Sequence, residues 1–246
     1  MFDQWRVELD RGGPVTARRY RGGPSPLATL VLAHGAGADQ SSEFMVGIAS
    51  GLASRGLDVV TFNFPFTERG KRLPDPQPAL EACYRAVLTD VAADRDGGAL
   101  PLFIGGKSLG GRMASHVAAA RDVDDAVAGP WWDRLRGLVF LGYPLHPPGK
   151  PQQVRVSHLP HIIHPMLVVQ GAKDAFGTPA ELRLFFDVLP AASEIYTVEQ
   201  GNHSLEVPKR SGLSQAAVFA AAHDRIVAWI SGRLEAATHG GGRQTR

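Results

Sequence analysis

The chain has 246 residues, 44% hydrophobic and 20% charged, enough apolar material for one well-cored domain and too much for a disordered chain. Lys and Arg number 26 against 24 Asp and Glu, and a net charge of +2 argues against a surface built for nucleic acid or acidic lipid. A single cysteine, Cys83, rules out an intrachain disulfide and speaks against a Cys-based zinc site.

The opening residues, Met1 to Arg6, lack the basic-then-apolar layout of a signal peptide. No apolar run approaches the roughly 18 to 20 residues of a membrane helix, so the expected compartment is the cytoplasm. Trp5 to Leu9 and Val15 to Tyr20 read as a hairpin across Asp10-Arg11-Gly12-Gly13-Pro14. Short apolar runs follow at Ala28 to Ala33, Asp58 to Phe62, Leu100 to Ile104, Leu138 to Leu141, Met166 to Gln170 and Glu194 to Val198. They suit strands buried on both faces. Helical patterns lie between and after them: Ser41 to Arg55, Pro78 to Asp94, Ser108 to Arg121, Pro179 to Val188 and Ser214 to Leu234. In the last, Val218, Ala222, Ile226, Trp229, Ile230 and Leu234 form an apolar stripe. Strands alternating with helices predict an α/β fold, a mostly parallel sheet covered on both faces, behind an N-terminal antiparallel hairpin. One domain is expected over residues 1–238, with a flexible Gly-rich tail over 239–246.

In such sheets ligands bind beyond the carboxyl ends of the strands. Four of those ends carry His34-Gly35-Ala36-Gly37, Gly106-Lys107-Ser108-Leu109-Gly110, Gly171-Ala172-Lys173-Asp174 and Gly201-Asn202-His203. Gly106-x-Ser108-x-Gly110 fits a nucleophile elbow, in which small residues two before and two after let a serine take a sharp strand-to-helix turn. A hydroxyl needs a base, and His203 after the last strand is the best candidate; Asp174 would hold its tautomer and stabilise its charged form. The chain order Ser108, Asp174, His203 is that of α/β-hydrolases. Two backbone N–H groups should face the oxyanion: Leu109, directly after the serine, and Ala36, with Gly37 as the alternative. His34 reads as structural.

At these residues the chain resembles the α/β-hydrolases over essentially its whole length. Phe62-Asn63-Phe64-Pro65-Phe66, Gly105 to Arg112, Gly142 to Lys150 and Gln170 to Gly177 carry a narrower likeness, to the dienelactone-hydrolase-like group. Within it, the chain is similar to a branch holding small bacterial hydrolase-like proteins, a testis-expressed vertebrate protein and a domain of a chromatin acetyltransferase complex subunit. The resemblance implies the fold, a triad of Ser108, Asp174 and His203, and a site without a cofactor. Dienelactone hydrolases proper use a cysteine nucleophile; position 108 is serine here.

Only Tyr143 to Pro165 separate two strands where many relatives insert a helical cap, so no cap domain is expected. That predicts a shallow pocket walled by Phe64, Phe66, Tyr143 and Leu145, open to small or extended esters. Arg69 and Arg72 lie in a basic loop that is either a solvated face or a clamp for a substrate carboxylate or phosphate. His158, His161 and His164 recur every third residue, but Pro160 and Pro165 break any helix that would align them, and no metal is expected. Gly105 to Ser108 fails as a phosphate loop because Pro101 stands where its first glycine belongs. Trp131-Trp132 reads as packing. The expected activity is a serine hydrolase acting on a small-molecule ester, most simply a carboxylesterase, with thioester or amide hydrolysis next and acyl transfer to an acceptor other than water as a further variant. The competing reading is a non-catalytic interaction module on the same fold.

Overall fold

The computed structural model describes residues 1–93, 100–120 and 129–240. Eight strands form one sheet: β1 Asp3–Val7, β2 Val15–Tyr20, β3 Thr29–Ala33, β4 Asp58–Phe62, β5 Leu102–Lys107, β6 Leu135–Leu141, β7 Met166–Gly171 and β8 Ser193–Val198. Their spatial order is β1-β2-β4-β3-β5-β6-β7-β8. β1 and β2 pair antiparallel, as do β2 and β4, and every later pairing is parallel. The six helices described are α1 Glu43–Ala53, α2 Pro65–Glu68, α3 Gln77–Ala93, α4 Leu109–Ala119, α5 Pro179–Phe186 and α6 Gln215–Gly240.

Alternation along the strands divides the core in two. Val31, Ala33, Val60 and Phe62 face α3, α4 and α5, while Leu30, Leu32 and Val59 face α1 and α6. Each fully buried Val, Leu, Ile or Phe contributes about 1.5–3 kcal/mol, so both faces must be covered for the sheet to hold. Ile226, Trp229 and Ile230 supply the cover from α6. Helix starts are locally specified. Ser42 caps α1 by accepting from the Met45 N–H, and Thr178 and Glu181 form a capping box ahead of α5, with Pro179 in its first turn.

Several boundaries differ from the expectation. β5 runs to Lys107, three residues past Ile104, because Gly105, Gly106 and Lys107 keep the ladder opposite Val139, Phe140 and Leu141. Strand pairing there overrides the poor strand propensity of glycine. β6 begins at Leu135 rather than Leu138, and β1 lies over Asp3–Val7 rather than Trp5 to Leu9. The single turn α2 was not anticipated, although Pro65 in its first turn is the usual signal. α6 continues past Leu234 to Gly240, into the segment expected as a tail; positions 241–246, and the expected helix ends at Asp94 and Arg121, lie outside the described residues. The β6–β7 connection contains one short turn of 3-10 helix, Leu159–His161, and no cap. Among the described residues, no helix is long and apolar enough to cross a membrane.

Candidate active site

β3 and β5 end level with each other, Ala33 opposite Gly106, at the point where the strand order reverses. Chains leaving the two ends therefore part and open a crevice. Ser108 occupies the turn from β5 into α4 with φ 50° and ψ −110°, a region that non-glycine residues rarely adopt and that marks stored backbone strain. The surrounding glycines make it possible. A Cβ on Gly106 would stand 2.3 Å from the Ala33 carbonyl oxygen, and one on Gly110 would stand 2.2 Å from the same atom. The Ser108 N–H donates to the Leu141 carbonyl at 3.1 Å, which fixes the turn to β6.

Ser108 Oγ lies 2.8 Å from His203 Nε2, and His203 Nδ1 lies 2.7 Å from Asp174 Oδ2. A carboxylate can only accept, so Nδ1 carries the proton and Nε2 is left to accept from the serine hydroxyl. The Asp174 carboxylate is fully enclosed while the imidazole is 21% exposed. Its burial is satisfied: Oδ2 also accepts from Gln170 Nε2 at 2.8 Å, and Oδ1 accepts from the Phe176 N–H at 2.8 Å. Gln170 is held in turn by the Tyr143 N–H, which donates to its Oε1 at 2.8 Å.

Two contacts hold the imidazole. The Phe176 ring stacks on it at 4.1 Å, and Lys107 Nζ donates to the His203 backbone carbonyl. Lys107 is only 9% exposed, and burial pushes its ammonium down to about 8, with Asp174 and Glu206 opposing the shift. Asn202 braces the same loop, its Oδ1 accepting from the Ser204 and Glu206 N–H groups.

Ser108 and His203 open on a cavity of about 540 Å³, lined also by Ala36, Gly37 and Leu109. The loop after β3 passes close to the serine, since a Cβ on Gly35 would stand 3.6 Å from Ser108 Cβ. His34 sits behind that loop, fully buried; its Nε2 accepts from the Phe64 N–H at 3.1 Å and its Nδ1 lies 2.7 Å from the Gly35 carbonyl. Burial holds its imidazole below the ordinary histidine range, so the neutral ring serves as a strut between two loops.

Residues 26–231 match the family model described as an alpha/beta hydrolase domain. The chain belongs to the α/β-hydrolase family. Solved α/β-hydrolases superpose along most of its length. Dienelactone hydrolase from Anabaena variabilis shares 18% identity at a TM-score of 0.69, over 91% of this chain and 95% of that one. XC6422 from Xanthomonas campestris, a serine hydrolase without a lid, shares 20% at 0.63, over 83% and 86%. Est1E from Butyrivibrio proteoclasticus with ferulic acid bound shares 15% at 0.68, over 91% and 99%.

The walls of this α/β-hydrolase cavity are not those the sequence suggested. Phe64, Phe66 and Tyr143 are fully buried and Leu145 is 1% exposed; none lines the cavity. The α2 turn carries Phe64 and Phe66 inward against His34, and Tyr143 packs between Phe140 and Phe186. Leu145 packs on Gly177, a contact that a Cβ there would crowd at 2.7 Å. The apolar walls are instead Phe44, Met45, Leu109, Pro144 and Phe176. Arg69 also stands elsewhere, paired with Asp75 at 2.5 Å beside the hairpin turn, and Arg72 is exposed and not part of the cavity lining. The basic residues on the cavity are Lys107, Arg112 and Arg155. A signal existed for Arg112, which lies one helical turn beyond Ser108, and for Phe176, two residues past Asp174.

The histidine run disperses. His158 Nε2 lies 2.7 Å from Ser115 Oγ with its ring stacked on His116, and His164 meets the edge of Trp132. Among the described residues, no group of three or more His, Cys, Asp or Glu is placed to hold a metal ion. Trp131 and Trp132 pack against each other, both buried.

Proposed function

We propose that this α/β-hydrolase is a cytoplasmic serine hydrolase that needs no cofactor and cleaves carboxylic esters of small or extended substrates through an acyl-serine intermediate. The observation that carries the reading is the continuous chain from Ser108 Oγ to His203 to Asp174, at 2.8 and 2.7 Å, opening on a cavity. Ser108 Oγ attacks the ester carbonyl as its proton passes to His203 Nε2, and Asp174 stabilises the imidazolium. The oxyanion is taken by the N–H groups of Leu109 and Ala36, or Gly37 in place of Ala36, at the positive end of α4. Each such donor lowers the barrier by about 3 kcal/mol. His203 then gives its proton to the departing alcohol, and water activated by the neutral imidazole attacks the acyl-serine and releases the acid. A place in the narrower branch of the dienelactone-hydrolase-like group belongs to the same reading, as do thioesters or acyl transfer as variants.

An open cavity without a cap favours acetyl, butyryl and extended aromatic acyl esters over long buried chains. The ferulic acid in Est1E makes a feruloyl ester one substrate to include. Stopped-flow hydrolysis of p-nitrophenyl acetate and butyrate tests the mechanism. A burst of one p-nitrophenolate per chain, absent in Ser108→Ala, is the expected result. No turnover by folded wild type across the ester panel overturns it in favour of an interaction module.

A further inference from the structure

Among the described residues, Arg6, Arg21, Arg55, Arg69, Arg85 and Arg225 are each paired with a carboxylate. Two others, Arg112 and Arg155, share the cavity of Ser108, and among the described residues neither side chain has a carboxylate partner. The Arg112 Nε is buried with no hydrogen-bond partner. Leaving a buried donor of a charged group unmet is costly, and two guanidiniums facing one space repel. Burial first, and Arg155 second, hold the Arg112 guanidinium below its ordinary value, with Tyr143 and Glu81 acting the other way. Among the described residues no Asp or Glu lines the cavity, and Lys107, also on its wall, is already committed to the His203 carbonyl.

Both arginines spring from fixed backbone. Arg112 lies in the first turn of α4, its N–H donating to the Ser108 carbonyl at 3.0 Å. At Arg155 the N–H donates to the Leu145 carbonyl at 2.8 Å, and the carbonyl accepts from the Tyr143 hydroxyl at 2.9 Å. A guanidinium held this way is suited to a planar oxyanion, which it meets with two parallel hydrogen bonds.

We infer that Arg112 and Arg155 form an anion subsite within the Ser108 cavity, so that the ester cleaved carries a carboxylate or phosphate on its acyl or alcohol part. This rests on the ester-hydrolase reading. It moves the charge recognition from the α2 loop, where Arg69 and Arg72 lie, to α4 and the β6–β7 connection.

The test has two arms. In the first, kcat/KM is measured at low ionic strength for mono-p-nitrophenyl glutarate and for its neutral methyl ester. Wild type should prefer the charged ester through a lower KM. The preference should fall about tenfold in Arg155→Met and in Arg112→Met, the size expected for one lost charged hydrogen bond. Arg155→Met decides the matter if Arg112→Met does not fold. An unchanged preference in Arg155→Met overturns the subsite, and no preference in wild type overturns a carboxylate as its occupant. In the second arm, glutarate and methyl phosphate are titrated calorimetrically into Ser108→Ala, with and without Arg155→Met. Binding of glutarate assigns a carboxylate and binding of methyl phosphate alone assigns a phosphate, in each case lost with Arg155→Met; binding of neither overturns the inference. Because this arm needs no turnover, a failed hydrolase reading and a failed subsite give different results.

Discussion

Lys107 sets a contribution to activity against a cost to stability, and Lys107→Met separates the two. Burial lowers the ammonium from its ordinary 10.5 to about 8. At about 1.4 kcal/mol per pH unit, the folded state carries a penalty of about 3 kcal/mol at neutral pH for keeping that group charged. Methionine removes the penalty but deprives the His203 carbonyl of its donor, a loss of about 1 kcal/mol. The variant should therefore be about 2 kcal/mol more stable than wild type at neutral pH. The sign changes with alkali. Between about pH 8 and 10.5 the unfolded lysine still binds a proton that the folded one has released, so wild type gains the 3 kcal/mol and the variant does not. Above pH 10.5 the variant should be the less stable by about 1 kcal/mol. Urea unfolding midpoints for both proteins at neutral pH and above pH 10.5 give the two differences directly. At neutral pH the variant should also lose about tenfold or more in kcat, because the loop carrying His203 is no longer tied to the strand that ends at the serine. A variant less stable than wild type by the same amount at both pH values would refute the desolvation argument.

Other substitutions have equally definite outcomes. Gly110→Ala sets a Cβ 2.2 Å from the Ala33 carbonyl oxygen, so α4 must shift away from β3. About 1–3 kcal/mol of stability and about a hundredfold in kcat should be lost, read by urea unfolding and steady-state kinetics. Asp174→Asn should leave the fold intact by circular dichroism and lower kcat by about 10⁴, since the amide no longer fixes the His203 tautomer. His223 is 7% exposed and pushed down to about 4, chiefly by burial and next by Arg55. As pH falls from 6.5 towards 4 the unfolded chain takes up a proton that the folded chain refuses, so stability is lost across that window. In His223→Leu the acid-induced loss, measured by urea unfolding, should shrink by about 3 kcal/mol.

The sheet was legible because strands buried on both faces read as apolar runs, and because helices such as α1 and α5 start at side-chain caps written into the sequence. The extension of β5 through Gly105 and Gly106 was not, since only pairing with β6 makes those glycines a strand. The meeting of Ser108, Asp174 and His203 could be anticipated because each follows a strand in a glycine-containing loop, so topology alone brings the three together. The walls of the cavity could not. Phe64, Phe66, Tyr143 and Leu145 also follow strands, but whether such a side chain points into the crevice or the core depends on backbone angles and on partners such as His34 and Gln170. The arginines miscarried for a related reason. A cluster of charge in a loop is conspicuous in sequence, whereas Arg112, alone on a helix, acquires its setting only from Arg155 some forty residues away.

The most direct measurement is intact-mass analysis of the folded protein after reaction with a fluorophosphonate, followed by peptide mapping. One adduct per chain on Ser108 is expected, absent in Ser108→Ala and formed far more slowly in His203→Ala. Unmodified wild type, or an adduct on another residue, would contradict the assignment of a serine activated by His203.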